Sequence, residues 1–252
     1  MYLITNRHLT PDLDTYLSVI EDAVSSGVKN VIVREKDMDD LEFKDLYLDI
    51  VKRVSVLPRA KDGVNLIINN KVEAFRSLQA DGLQLSFGKF IEMVESGERF
   101  EEFSVEKNKI LGLSIHSVDE VNKLIEVLKE IGPVVEYITV SHIFSTDCKK
   151  GLVPKGIEFI KEVKEVLEQR YKECATDAKS EIKTETEIKT KAKTKVVGKE
   201  KRKIKIIALG GIIPTNVSEL ENEANDYAVM STVMKSKNVR KTILDYNASS
   251  VG

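Results

Sequence analysis

Short apolar runs rich in Val and Ile recur along the chain and alternate with longer stretches whose apolar residues return at helical spacing. This is the pattern of strand-helix units around a parallel sheet. The strand-like runs fall at residues 2–5, 30–34, 65–69, 82–85, 110–114, 137–141, 204–209 and 227–230. Helical stretches are expected at 11–25, 40–54, 117–131, 154–171, 214–222 and 231–245. Several of them open on Ser, Asp or Pro, which suit a first turn because the side chain accepts an exposed N–H or, in proline, no N–H is left over. The segments after the third and fourth runs are shorter and less regular. Eight strand-helix units predict the α/β class and a single (β/α)8 TIM barrel over residues 1–252. An open doubly wound sheet is the alternative, disfavoured because no Gly-rich dinucleotide fingerprint follows the first run.

One stretch breaks the pattern. At about 173–203 the sequence becomes a net basic, low-complexity run of Lys, Thr and Glu with almost no large apolar residue. Such a composition cannot bury enough surface to order itself, which predicts a disordered insertion between the sixth helix and the seventh strand. That connection belongs to the N-terminal face of a barrel, opposite the face that carries active sites. A partner-binding segment is the alternative to a solvated one.

A chain of 252 residues can bury a full core. With 39 Lys and Arg against 41 Asp and Glu, a net charge of −2, it carries no chain-wide field favouring nucleic acid or an anionic membrane. Cys148 and Cys174 lack the spacing of a zinc or redox motif, no apolar run reaches membrane-spanning length, and the N-terminus does not read as a signal peptide. The expected location is the cytoplasm.

Barrel active sites are built at the C-terminal ends of the strands, so residues there are weighed first. Gly210 and Gly211 end the seventh strand, and Ser231 and Thr232 carry the eighth into a helix. Glycines let the backbone approach an anion, and a helix's first N–H groups are unpaired donors, so this pair of loops predicts a phosphate site; a plain tight turn is the alternative. His142 ends the sixth strand, where an imidazole can act as base and then acid near neutral pH. The loop that follows, with Thr146 and Lys149, is dense in donors. His8 and His116 read as structural or peripheral. Arg34, Lys36 and Asn69 end the second and third strands and suit a carboxylate or phosphate, or else form a charge layer that organises the barrel top. Ser114 either donates into the pocket or closes a turn.

Taken in order, Tyr2-Leu3-Ile4-Thr5, Arg34-Glu35-Lys36, Leu66-Ile67-Ile68-Asn69, Ala80-Asp81-Gly82-Leu83-Gln84-Leu85, Gly112-Leu113-Ser114-Ile115-His116-Ser117 and Ala208-Leu209-Gly210-Gly211-Ile212 resemble the thiamine phosphate synthase and TenI superfamily. The resemblance covers nearly the whole chain except the insertion. It implies a barrel that binds a small phosphorylated thiazole, and it divides by chemistry. Synthases hold an aminopyrimidine diphosphate through magnesium, with an Asp after the third-strand Asn and another after the fourth strand; here those positions are Asn70 and Lys89, and Ile32 stands where synthases carry Gln. An amide and an ammonium are poor replacements for carboxylates around a hard cation. Ser141-His142-Ile143-Phe144-Ser145-Thr146-Asp147-Cys148-Lys149-Lys150-Gly151 is similar to the TenI loop, as is Leu85-Ser86-Phe87-Gly88.

The TenI likeness implies a metal-independent thiazole tautomerase without cofactor. His142 matches its catalytic histidine, removing the proton beside the substrate's carboxylate and returning one to the exocyclic carbon as the ring becomes aromatic. The phosphate would sit on Gly210, Gly211, Ser231 and Thr232, and Arg34, Lys36, Asn69, Ser114, Thr146 and Lys149 are the candidates for carboxylate and ring. The alternatives are a thiamine phosphate synthase, which alone would require magnesium, and a non-catalytic phosphate-binding barrel with a protein partner. The family also implies a homodimer.

Overall fold

A computed structural model describes residues 1–103, 107, 109–146, 151–185 and 203–249. Eight parallel strands close into a barrel in sequence order: β1 (Tyr2–Ile4), β2 (Asn30–Val33), β3 (Asn65–Asn69), β4 (Gly82–Ser86), β5 (Ile110–Ile115), β6 (Tyr137–Ser141), β7 (Lys205–Leu209) and β8 (Asp226–Val229). The seam closes between β1 and β8, where Tyr2 pairs with Ala228 and Leu3 with Val229. The expected single (β/α)8 barrel is the fold observed.

Strand residues alternate between the barrel interior and the surrounding helices, because successive side chains leave a strand on opposite faces. Tyr2, Ile4, Ile32, Ile67, Tyr137, Ile207 and Ala228 form one apolar cluster inside the barrel. Their neighbours Leu3, Val31, Val33, Leu66, Ile68, Leu83, Leu111, Ile138 and Val140 face outward into the larger cluster shared with the helices. Burial on both faces explains why these strands read as nearly continuous apolar runs.

The helices are α1 (Leu13–Ser25), α2 (Asp40–Ser55), α3 (Val72–Leu78), α4 (Phe87–Glu95), α5 (Val118–Ile131), α6 (Gly156–Glu185), α7 (Ser231–Met234) and α8 (Val239–Ser249). Their starts follow the capping residues. Asp12 accepts the Thr15 N–H at 2.7 Å ahead of α1, Ser117 accepts that of Glu120 at 3.1 Å ahead of α5, and Asp39 and Glu42 form a capping box on α2. α1 then packs Tyr16, Leu17, Ile20, Ala23 and Val24 against the sheet.

Three helical expectations are corrected. Residues 214–222 form only a 3-10 turn, Val217–Leu220. Asn216 accounts for it: its Oδ1 accepts the Ile213 N–H at 2.8 Å and its Nδ2 donates to the Gly211 carbonyl at 3.0 Å, a local alternative to helical bonding. The helix expected over 231–245 is broken into α7 and α8. Ser236 Oγ accepts the Asn238 N–H at 3.0 Å, and Asn238 Oδ1 accepts that of Lys241 at 2.9 Å, so the break carries its own cap. α6 runs past Tyr171 to Glu185 into the low-complexity stretch, where Ala175, Ala178, Lys179 and Glu181 have good helix propensity. The rest of that stretch, 186–202, lies outside the described residues. No described helix is long and apolar enough to cross a membrane.

Gly112 shows how tightly the interior is filled. A methyl group there would lie 2.2 Å from Cζ of Tyr137 and 2.5 Å from Oε1 of Gln84. Gly112→Ala is therefore expected to lower unfolding stability by about 1–3 kcal/mol through overpacking. Urea denaturation checks this; an unchanged midpoint would mean that the Tyr137 ring swings aside freely.

Candidate active site

Continuing the inward alternation toward the C-terminal ends of the strands divides the mouth into two halves. On β3 to β6 the inward positions are Asn69, Gln84, Ser114, Thr139 and Ser141; on β7, β8 and β1 they are Ile207, Leu209, Ala228 and Ile4. The polar half is already knitted together. Gln84 Nε2 donates to Ser114 Oγ at 2.9 Å and to Thr139 Oγ1 at 3.4 Å, and Thr139 Oγ1 lies 3.3 Å from Ser114 Oγ. Asn69 Nδ2 reaches the Gln84 carbonyl at 3.4 Å. Above them Ser141 Oγ lies 3.2 Å from His116 Nδ1. Ser114 and Asn69 were expected at the mouth and are there. His116, which reads from sequence as structural or peripheral, joins them at the rim; Gln84, Thr139 and Ser141 carry no such mark. Their only sequence signal is inward parity near a strand's end, which becomes informative once the register is fixed.

The end of β2 is organised by a buried carboxylate. Glu35 accepts from Thr5 Oγ1 at 2.6 Å, from Tyr16 Oη at 2.9 Å and from the Arg7 N–H at 2.9 Å. Three donors offset the cost of taking the charge out of water. Burial, with the Glu35 charge beside it, holds the Tyr16 phenol well above its usual pKa, so it remains a donor. Glu35 thus anchors the turn from which half-buried Arg34 and exposed Lys36 emerge. The Arg34 guanidinium, with some desolvation, pulls the Lys36 ammonium below the usual lysine range. Two cations that destabilise each other in this way form a positive patch that an anion would relieve.

His142 is buried directly after β6, and its position depends on the glycines of the neighbouring strand. The β6 and β7 chains stay paired beyond the strands, with the Ile143 N–H donating to the Leu209 carbonyl at 3.0 Å and that of Phe144 to the Gly210 carbonyl at 2.9 Å. Gly210 has φ +101°, and a methyl group there would lie 2.5 Å from His142 Cβ. At Gly211, φ +69°, it would lie 2.4 Å from the Ser145 carbonyl oxygen. Both glycines are thus needed for loop packing, whatever else they bind. The His142 Nε2 lies 3.4 Å from the Leu152 carbonyl oxygen. A carbonyl only accepts, so in the neutral ring this contact places the proton on Nε2 and leaves the lone pair on Nδ1.

Pairing of β7 with β8, Leu209 opposite Ala228, sets half-buried Ser231 and Thr232 beside the glycine turn. Gly210 packs on His142 and Gly211 on the Phe144 and Ser145 carbonyls, while Ser231 and Thr232 begin α7 after the adjoining strand. Thr146 is half-buried in the loop after β6, while Lys149 lies outside the described residues. His8 sits apart, with Nε2 2.9 Å from Asp37 Oδ2 at the surface.

Asn70 and Lys89, which the sequence resemblance sets against the synthase carboxylates, are committed elsewhere. Asn70, at φ 57°, uses Oδ1 to accept the Ser86 N–H at 2.8 Å, and Lys89 Nζ lies 3.1 Å from Glu92 Oε2. An amide oxygen held by a backbone donor and an ammonium do not fit a hard divalent cation. Among the described residues no three His, Cys, Asp or Glu side chains converge as a metal site.

A family model described as thiamine monophosphate synthase (TMP-TENI) matches residues 1–176. The thiamine-phosphate synthase of Clostridium tetani (strain Massachusetts / E88) is 25% identical over 242 residues, covering 96% of this chain and 90% of that protein. The thiamine-phosphate synthase of Clostridioides difficile (strain 630) is 26% identical over 247 residues, covering 96% and 91%. Among solved structures, the thiamine phosphate pyrophosphorylase of Pyrococcus furiosus superposes with a TM-score of 0.61 at 21% identity, over 100% of this chain and 96% of that one; this likeness bears on the fold.

The contact between Gly210 and His142 gives a direct test of the loop geometry. Gly210→Ala should displace the imidazole from the Leu152 carbonyl while the barrel stays folded. The imidazole nitrogen chemical shifts should move toward those of an exposed histidine, and unchanged shifts would show that the close approach is dispensable.

Proposed function

The chain belongs to the thiamine monophosphate synthase family and is an enzyme of thiamine biosynthesis; within that family we propose that it isomerises a phosphorylated thiazole by proton transfer. The observation that carries this reading is buried His142, its Cβ packed on Gly210, in a mouth whose Asn70 and Lys89 do not suit a diphosphate-bound cation. In this reading the Nδ1 lone pair takes the proton on the carbon that bears the substrate's carboxylate. The same ring then returns a proton to the exocyclic carbon, so that no atom is gained or lost and aromatisation drives the reaction. Gly210, Gly211, Ser231 and Thr232 would hold the phosphate with backbone donors. The Arg34 and Lys36 patch would take the carboxylate, and the Asn69, Ser114 and Thr146 side chains would border the ring.

A second reading is favoured by the relatives. Those described above are named synthases over nearly their full length, and on names alone the transferase that joins a thiazole phosphate to an aminopyrimidine diphosphate is the better supported. Identity near one quarter reports chiefly on the shared barrel, whereas the two reactions differ at a few mouth positions. Magnesium belongs to this second reading alone, and no step through it follows from the side chains present. For either reaction we infer a cytoplasmic enzyme, and a homodimer on family grounds.

One paired assay separates the two reactions. Purified protein is given the non-aromatic thiazole carboxylate phosphate without metal and, separately, thiazole phosphate with aminopyrimidine diphosphate and magnesium. The expected result is faster aromatisation in the first and little coupling in the second; magnesium-dependent coupling without isomerisation would establish the transferase. His142→Ala is expected to slow isomerisation by about 10²- to 10⁴-fold, the usual contribution of a positioned acid-base group. Full rate in that variant would remove His142 from the mechanism.

A further inference from the structure

The two loops proposed to grip the phosphate leave adjacent strands separately, and one side chain ties them together from behind. Tyr246, on α8, is fully buried, and its hydroxyl donates to the Ile212 carbonyl at 2.8 Å. Ile212 directly follows Gly211. The Thr232 side chain hydrogen-bonds the same phenol oxygen, and the Tyr227 ring of β8 lies against the Tyr246 ring with centroids 5.7 Å apart. A single oxygen therefore touches the residue after the glycine turn and the second residue of α7. Because the phenol's one proton is given to Ile212, the Thr232 hydroxyl is the donor in the other bond.

We propose that Tyr246 is a positioning residue for the phosphate, fixing the spacing between the Gly210-Gly211 turn and the Ser231-Thr232 turn. The inference rests on the reading of these loops as the phosphate grip and extends it to a residue outside the mouth. Anion binding by backbone N–H groups is strong when their separation is set before the ligand arrives, since otherwise binding must order both loops. α8 supplies that order from the core, where Val239 and Ile243 are buried beside Tyr246. Burial, partly opposed by the Thr232 bond, pushes the phenol up to about 12, so the donor is present at every working pH. The arrangement also assigns Thr232 more narrowly: its hydroxyl is turned to Tyr246, which leaves its backbone N–H for the anion.

The test compares wild type, Tyr246→Phe, Thr232→Val and the double variant by isothermal titration with inorganic phosphate at fixed ionic strength. Melting temperatures and, once a reaction is established, kcat and KM are measured in parallel. Tyr246→Phe should weaken phosphate binding about three- to tenfold, the scale of one lost hydrogen bond, and raise KM while leaving kcat unchanged. Thr232→Val should produce a similar loss, and the double variant should be no worse than the poorer single one, because both cut one link. Unchanged phosphate affinity in both single variants, or fully additive losses, would overturn the proposal; so would a fall in kcat with unchanged KM. Should Tyr246→Phe fail to fold, Thr232→Val decides alone, since it cuts the link from the rim. Failure of the wild type itself to bind phosphate would refute the phosphate reading, and with it the role given to Tyr246.

Discussion

Closure of the sheet between β1 and β8 is the constraint from which the rest follows. An open parallel sheet of these strands would leave two edges of unpaired N–H and C=O groups, and its side chains would have no shared interior. Once Tyr2 pairs with Ala228, every strand has two neighbours and parity becomes a global property. The choice that points Ile32 inward also points Ile67, Gln84, Gly112, Thr139 and Ile207 inward. The interior has little room, which is why Gly112 has no side chain and Tyr137 occupies its place. Closure also gathers all C-terminal strand ends on one rim, so residues far apart in sequence, such as Arg34 and Gly211, belong to one mouth.

What can be read without the fold is whatever depends on a residue's own segment. The eight apolar runs, the helix starts near residues 11, 40 and 117, and the break in composition near the sixth helix are of this kind. Residues 214–222 and 231–245 depart from their helical spacing because Asn216, Ser236 and Asn238 hydrogen-bond the backbone locally, which spacing does not register. The site divides in the same way. His142 and the paired glycines stand out by type and position. Gln84, Thr139 and Tyr246 become visible only through partners on other elements, because a glutamine in an apolar strand or a tyrosine on a helix is unremarkable until its hydrogen bonds are known. Glu35 belongs to both groups: it stands in a charged triplet, yet its burial under Thr5, Arg7 and Tyr16 depends on β1 and α1.

The glycine turn shows why a structural and a functional explanation need not compete. Gly210 and Gly211 are required by the approach of His142 and of the Phe144 and Ser145 carbonyls, which by itself accounts for both residues. The same approach, however, is what brings the candidate acid-base group next to the candidate phosphate grip. In the proposed reading, a turn that packs the β6 loop would therefore also set the distance between the gripped end of a ligand and the imidazole. Loop packing and the proposed catalysis would make the same demand on these two positions.

The tension between relatives named as synthases and the proton transfer proposed for this mouth has a physical basis. Most of the chain is spent on closing the barrel and covering it with helices, and those positions constrain any member of the family alike. A phosphate grip at the ends of β7 and β8 would serve either reaction, since both act on a phosphorylated thiazole. The reactions part only over the second anionic group. A diphosphate leaving group needs divalent charge held by carboxylates, whereas a carboxylate that stays on the substrate can be held by cations alone. The Arg34 charge disfavours that of Lys36 at one side of the mouth, Lys89 is paired with Glu92, and Asn70 gives its oxygen to the Ser86 N–H. None of these side chains offers a carboxylate to a hard cation, and that is the ground on which the proposed reaction departs from the one the relatives are named for.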